Sequence, residues 1–150
     1  MNRKRVRQRP AEVFLSHSSK NLSFASRLAK TITAAGVSVF FSKKSIRGAQ
    51  EWHDQIGVAL KRCNWFVLLL SPDSVKSKWV KHELVYALQA DRYRGRIVPC
   101  LHKACRHDNL SWTLAQFQFV DFRSDFDDGC RELFALWALN YPSRKKRKKR

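Results

Sequence analysis

Five short apolar runs alternate with amphipathic segments along this chain, and this alternation limits the possible folds more than any other feature. The runs lack the polar–apolar alternation of a strand with one solvated face, so strands formed from them are buried on both faces. The predicted strands span residues 13–15, 37–41, 65–70, 97–101 and 117–122.

Apolar residues at helical spacing predict helices between and after the strands. The first predicted helix is capped by Ser19 or Asn21 and ends at Gly36, and the last spans 126–139 and is capped by Asp125. Two further stripes are Trp52, Ile56, Ala59, Leu60 and Cys63, and Trp79, Glu83, Leu84, Ala87 and Leu88. This order predicts an α/β fold, a flavodoxin-like, doubly wound, five-stranded parallel sheet with helices on both faces.

The net charge of +18 over 150 residues is concentrated at the ends of the chain. Five cations lie within residues 3–9 and seven within 144–150, whereas residues 11–143 carry only +6. We therefore expect basic, disordered tails at 1–11 and 142–150 around one domain at 12–141. The tails could bind nucleic acid or anionic surfaces, or remain solvated without a partner.

The sequence predicts a cytoplasmic protein without a membrane span. No apolar run approaches the ~20 residues that a membrane helix needs, and no apolar segment follows the N-terminal charges as in a secretory signal. Four cysteines are too few and too scattered for a disulfide framework.

One cysteine–histidine cluster resembles a zinc-ligand set in composition: Cys100, His102, Cys105 and His107. Its spacing differs from the usual finger and ribbon patterns, and Cys100 closes a predicted buried strand. We therefore predict no metal site and interpret Cys100 as a core residue beside a polar loop.

Ligands of doubly wound sheets bind outside the carboxyl ends of the strands, so the loops there limit the chemistry. The five glycines form neither G-x-G-x-x-G nor a Walker loop, and no G-x-S-x-G supplies a hydrolase nucleophile. A phospho-receiver would need acidic residues where this chain has Ser16, His17 and Ser71.

One carboxylate, that of Glu83, is predicted to lie near an aromatic residue and a basic loop at this edge of the sheet. Glu83 lies one helical turn beyond Trp79, across from a loop at residues 42–50 that carries three cations. A carboxylate can stabilise an oxocarbenium-like transition state while cations hold a pyrophosphate. The spacing alone, however, favours a plainer interpretation, in which Glu83 is a solvent-exposed acid paired with Lys81, Lys78 or Arg92.

The ordered set of motifs resembles a TIR (Toll/interleukin-1 receptor) domain, in particular its bacterial, NAD-cleaving branch. The resemblance covers residues 12–140 and rests on the following segments: Val13-Phe14-Leu15-Ser16-His17-Ser18, Gly36-Val37-Ser38-Val39-Phe40-Phe41, a BB loop ending near Arg47-Gly48, Trp52 with Ile56, Val67-Leu68-Leu69-Leu70-Ser71-Pro72, and Ser77-x-Trp79-x-x-x-Glu83-Leu84.

The resemblance implies an NAD+ glycohydrolase that acts in immune or antiviral signalling, with NAD+ as substrate and no cofactor. It implies that Glu83 stabilises the charge that develops on the nicotinamide ribose and that Trp79 forms a wall of the pocket. Ser16 and His17 would border the ribose, and Phe41, Lys43 and Arg47 would hold the rest of the dinucleotide. The products would be nicotinamide with ADP-ribose or a cyclic isomer, and self-association or a separate sensor or effector protein would support activity.

Several alternatives stay open on the sequence alone. Ser42 stands where the family often has an acid, which leaves substrate preference open. His17 could be an ordinary loop residue, Phe41 and Trp79 could be packing residues, and the loop cations could serve solubility only. The competing functions are a non-catalytic TIR adaptor that acts by self-association and an activity like that of nucleoside deoxyribosyltransferases.

Overall fold

The computed structural model describes residues 9–41 and 49–142, and for 49–51 it describes the backbone alone. Its centre is a parallel sheet of five strands in the order β2-β1-β3-β4-β5. The strands are β1 (Glu12–Ser16), β2 (Ser38–Phe40), β3 (Trp65–Leu70), β4 (Ile97–Leu101) and β5 (Val120–Asp121). The predicted doubly wound sheet is thus confirmed, and its strand order reverses between β1 and β3.

Helices cover both faces of the sheet, as predicted. They are α1 (Leu22–Ala34), α2 (Ala49–Arg62), α3 (Pro72–Val75), α4 (Lys78–Gln89) and α5 (Phe126–Leu136). One apolar cluster joins α1 and α5 to alternate residues of the strands, and a second joins α2 and α4 to the residues between them. All six residues of β3 are buried because this central strand contributes to both clusters.

The fifth strand is much shorter than the predicted 117–122. It pairs only with Cys100 and Leu101, the last two residues of β4. The carbonyl of Arg96 accepts a hydrogen bond from the N–H of Phe66 in β3, and the carbonyl of Leu101 accepts one from the N–H of Phe122, just after β5. The backbone N–H and C=O groups of the odd-numbered residues of β4 therefore point toward β5. Pro99 is one of them, and it has no N–H to donate to a fifth strand. The ladder to β5 therefore begins only beyond this proline.

The helix ends confirm one predicted cap and correct others. Asp125 caps α5 by accepting from the N–H of Asp128. The helix ends at Leu136 rather than at 139, because Ala138 has φ = 57° and the N–H of Leu139 returns to Phe134. Neither predicted residue caps α1: Asn21 occupies the position but makes no side-chain capping bond.

The predicted tails at 1–11 and 142–150 lie almost entirely outside the described residues, so the boundaries of the 12–141 domain stay a prediction. In the part of the chain that the structure describes, no helix is long and apolar enough to cross a membrane.

Candidate active site

The strand-order reversal places the ends of β1 and β3 side by side, and the outside of that junction is where doubly wound folds bind ligands. Ser16 ends β1, Ser71 follows β3, and both side chains are buried. Ser71 caps α3 and donates from its hydroxyl to Asn21 Oδ1 at 2.7 Å. This bond ties the segment after β3 to the segment after β1 at the carboxyl edge of the sheet.

Glu83 lies at this junction and its side chain is directed into the protein. It is only 6 % exposed, and its Oε1 accepts a 2.7 Å hydrogen bond from the hydroxyl of Ser16. Burial raises the pKa of Glu83 to about 7, and the Ser16 bond opposes that rise by favouring the ionised form. A carboxyl group that titrates near neutrality in a fold's ligand-binding region is a candidate for chemistry.

The local sequence explains why an acid occupies this position. Ser77 caps α4 by accepting from the N–H of Val80, which sets the phase of the helix. Val80, Leu84 and Ala87 form its buried face, and Glu83 shares their period. The helix therefore carries one carboxyl group inward on an otherwise apolar face.

The interpretation of Glu83 as a solvent-exposed acid paired with a cation is wrong. The amino group of Lys81 donates to the carbonyl of Leu110, and Arg92 donates to the carbonyl of Cys63. Within the described residues Glu83 forms no ion pair with Lys81, Lys78 or Arg92, and it instead accepts a hydrogen bond from Ser16.

The structure brings His17 and Phe41 together beside Ser16. Their ring centroids are 5.9 Å apart, and His17 Nδ1 lies 2.8 Å from the carbonyl oxygen of Ser18. Phe41 also packs against the apolar cluster of α1 and α5, so it has a packing role in addition to any contact with a ligand. Both side chains are half-buried, and a ligand at the carboxyl edge could reach them.

Trp79 lies on the first turn of α4 and faces α2 rather than Glu83. Its ring centroid is 4.6 Å from that of Trp52 and 5.6 Å from that of His53, and the residue is 37 % exposed. These contacts make it a bridge between the two helices at the edge of the site. Lys43 and Arg47, the remaining predicted binding residues, lie outside the described residues.

The residues that sequence reasoning missed are Asn21 and Ser71, whose buried hydrogen bond joins the two loops behind Glu83. The Ser71-Pro72 pair signals a helix start, but its partner lies 50 residues earlier in the chain. No local pattern could have identified that contact.

The cysteine–histidine cluster does not converge. Cys100 is buried in β4, His102 stacks on Phe24 at 4.0 Å, and His107 packs on Phe119. Among the residues that the structure describes, no group of three or more potential ligands could hold a metal ion.

Comparison with known proteins decides the family. The sequence model described as "TIR domain" matches residues 13–134, most of the chain. This chain belongs to the TIR-domain family. The TIR fold is equally evident in solved structures, although sequence identity to them is low.

Two bacterial relatives illustrate the sequence similarity. One is the 2′ cyclic ADP-D-ribose synthase AbTIR of Acinetobacter baumannii, which is 28 % identical over 105 residues, or 68 % of this chain and 39 % of the relative. The other is the NAD(+) hydrolase PdTIR of Paracoccus denitrificans, 28 % identical over 106 residues, or 69 % of this chain and 36 % of the relative. The alignments thus span well under half the length of the curated relatives.

Two solved structures show the same TIR fold. The TIR domain of the Toll-related receptor TRR-2 from Hydra magnipapillata gives a TM-score of 0.67 at 18 % identity, covering 82 % of this chain and 94 % of that one. The TIR domains of the activated Roq1 resistosome give 0.66 at 15 % identity, covering 83 % of this chain and 98 % of that one.

Proposed function

We propose that this TIR domain cleaves NAD+ between nicotinamide and ribose, with the Glu83 carboxylate as the catalytic group. The observation that carries the proposal is the buried carboxyl of Glu83, held by Ser16 at the junction of β1 and β3. The names of the Acinetobacter and Paracoccus relatives support the same type of reaction.

The chemistry requires one negative charge in a place shielded from water. When the nicotinamide–ribose bond breaks, the bonding electron pair leaves with nicotinamide and positive charge develops on the ribose. A carboxylate stabilises that charge more strongly in a dry site than in water. The pKa of Glu83 near 7 leaves a substantial ionised fraction at neutral pH, and a cationic substrate would increase it.

The other predicted residues have positioning and binding roles in this proposal. Ser16 orients the carboxylate, and His17 and Phe41 border the ribose side of the site. Trp79 forms an outer wall, and Lys43 and Arg47 hold the pyrophosphate. Water or a group within ADP-ribose then captures the ribose, which gives the linear or the cyclic product.

We also propose self-association, a cellular location and a signalling role for this activity. The solved Roq1 assembly is described as an activated resistosome with TIR domains, which supports self-association as a condition for activity here. We place the protein in the cytoplasm, where a separate sensor or effector protein would link it to immune or antiviral signalling.

The test is nicotinamide release from NAD+ at high protein concentration with a crowding agent, which favours assembly. Glu83→Gln keeps the size of the side chain and removes its charge, so release should fall at least a hundredfold. Glu132→Gln is the matched control, because Glu132 is an exposed acid on α5 and should be dispensable. An unchanged rate in the Glu83 variant would remove this residue from the mechanism.

Two other outcomes would select a competing function. Assembly confirmed by light scattering, with no NAD+ consumed by the wild type, would indicate an adaptor that works by self-association. Turnover of deoxynucleosides but not of NAD+ would indicate a deoxyribosyltransferase-like activity.

A further inference from the structure

Arginine and lysine side chains collect at the amino edge of the sheet, opposite Glu83. The connection from α4 to β4 contains Arg92, Arg94 and Arg96, and Lys61 and Arg62 end α2. The α4–β4 connection leads into the start of β4, and α2 runs antiparallel to the strands and ends just before β3, so these residues lie at one edge. We call these five residues, together with Arg9 before β1, the basic edge.

Hydrogen bonds hold much of the basic edge in place. Arg92 Nη1 donates to the carbonyl of Cys63 at 3.4 Å, and Arg96 Nη1 donates to the carbonyl of Arg92 at 3.2 Å. The backbone carbonyl of Arg96 accepts from Phe66 at 2.9 Å. The arginine-bearing connection is therefore tied to the start of β3.

Acidic residues balance only part of this charge. Arg62 forms a bidentate ion pair with Glu12, in which Nε donates to Oε1 at 2.7 Å and Nη2 donates to Oε2 at 3.0 Å. Arg94 contacts Asp91 at 3.2 Å, but the two side chains are 79 % and 92 % exposed, and such pairs are weak. Within the described residues, neither Arg92 nor Arg96 has a carboxylate within ion-pair distance.

A cleft of about 750 Å³ opens beside these arginines, between the starts of β3 and β4, the segment 116–118 and α5. Arg94 and Arg96 line one part of it, and the amide side chains of Gln116 and Gln118 line another. The acidic side chain in the lining is Glu132, whose Oε1 accepts from the N–H of Asp121 at 3.4 Å. Guanidinium and amide groups are the donors that proteins use to hold phosphate oxygens.

We propose that the basic edge binds the phosphate backbone of duplex nucleic acid. Arg92 is exposed and Arg96 half-buried, and neither has a carboxylate partner in the described part of the chain. Such guanidinium groups next to a cleft with further donors match a regularly spaced polyanion. Among the described residues, the large exposed apolar side chains are Leu22, Val58, Trp79, Val85 and Trp112. None of them belongs to the basic edge or lines the cleft, so these exposed apolar side chains provide no surface there for insertion into lipid.

Arg9 is the member of the basic edge that precedes β1. Its Nη2 donates to the carbonyl of Ala35 at the end of α1. Every additional cation near a phosphate releases a counterion and strengthens binding that is independent of sequence. The folded edge would set the position of the duplex.

Binding at the basic edge does not depend on NAD+ cleavage. Glu83 and Ser16 lie at the carboxyl ends of the strands, whereas the proposed surface lies at their amino ends. The Glu83→Gln variant should therefore bind duplex nucleic acid as the wild type does, and the two proposals can fail separately.

The experiment uses the full chain and a fluorescent 30-base-pair DNA duplex, with an RNA duplex of equal length as a second probe. Anisotropy is measured over a range of salt concentrations for the wild type and for Arg92→Gln/Arg94→Gln/Arg96→Gln. A matched control, Lys20→Gln/Lys76→Gln/Lys103→Gln, removes the same charge from exposed positions at the opposite, carboxyl edge of the sheet. Thermal melting verifies that both variants fold, and Arg94→Gln/Arg96→Gln replaces the triple variant if it does not fold.

The arginine variant should lose at least tenfold in affinity at physiological salt. The slope of its log affinity against log salt concentration should be smaller by the contribution of about two to three phosphate contacts. The control should lose much less. Equal losses in both variants, or wild-type binding by the arginine variant, would overturn the proposal. Binding to vesicles containing phosphatidylserine, with no binding to either duplex, would also overturn it and indicate a lipid surface.

Discussion

At the carboxyl edge of the sheet a carboxyl group is buried against β1, whereas at the amino edge several guanidinium groups extend into solvent. Glu83 is 6 % exposed and makes its hydrogen bond to the equally buried Ser16, while Arg94 and its partner Asp91 are almost fully hydrated. Burial changes the acid–base behaviour of a group and lowers stability, but exposure leaves charge available at little cost. The two edges therefore suit chemistry and electrostatic attraction respectively.

Stability should show this contrast most strongly. The folded protein raises the pKa of Glu83 from 4.5 to about 7, so between those pH values the folded state binds more protons than the unfolded one. Stability consequently falls as pH rises through that range, by about 3 kcal/mol in total. Glu83→Gln removes this penalty and should raise the melting temperature by roughly 6–12 °C at pH 8, but hardly at pH 4.

Glu12→Gln is the comparison at the opposite edge. Glu12 pairs with Arg62, whose side chain is half exposed, and losing such a pair costs at most about 1 kcal/mol. Thermal melts of both variants at several pH values test the contrast. It fails if Glu83→Gln leaves the stability at pH 8 unchanged or lower.

The second expected effect concerns the pH dependence of NAD+ cleavage. The reaction as proposed needs ionised Glu83, so kcat/KM should fall about tenfold per unit below pH 7 and level off above it. Initial rates of nicotinamide release between pH 5 and 9 give the profile, and Glu132→Gln should reproduce it. A profile that stays flat between pH 5 and 8 would show that the carboxylate of Glu83 does not limit the rate.

Local sequence was sufficient for most of the fold. Continuous apolar runs predicted four of the strands closely, because buried parallel strands leave a pattern that needs no knowledge of their partners. The fifth strand was overestimated at 117–122, since its length depends on Pro99 in the neighbouring strand. That proline can be read from the sequence, but the direction of its missing N–H depends on the register of β3 with β4.

The candidate site was less accessible to sequence reasoning than the fold. Glu83 could be placed on a helix with Val80, Leu84 and Ala87, and that face identifies a buried position. Its partner Ser16, however, lies 67 residues away, and only the folded chain brings the two together. The pKa of Glu83 follows from that burial, which is why spacing alone favoured an exposed acid.

Ser16 should have a smaller effect, through the position and pKa of the carboxyl group. Ser16→Ala removes the bond that favours ionised Glu83, so the midpoint of the pH profile should move upward by about one unit. Activity at pH 7 should then fall roughly fivefold and largely recover at pH 9. Loss of activity by the same factor at every pH would contradict this role.

Ser71→Ala is the matched control for that measurement. Ser71 is also a buried serine at the carboxyl edge, but it donates to Asn21 and not to Glu83. Because Ser71 also caps α3, its removal should lower stability at least as much as Ser16→Ala does, without moving the pH profile. The pair separates an electrostatic effect on Glu83 from general loosening of the edge.

The smallest expected effect belongs to the basic edge. Asp91→Asn removes the acid that faces Arg94, and an exposed pair of this kind is worth at most about 1 kcal/mol, so duplex binding should strengthen two- to fivefold. Asp108→Asn makes the same charge change beside Arg106, in the connection from β4 to β5, and should strengthen binding less. Anisotropy titrations at one salt concentration compare the two variants. If both strengthen binding equally, net charge alone governs the interaction, whereas a larger effect of Asp91→Asn places the duplex against Arg94.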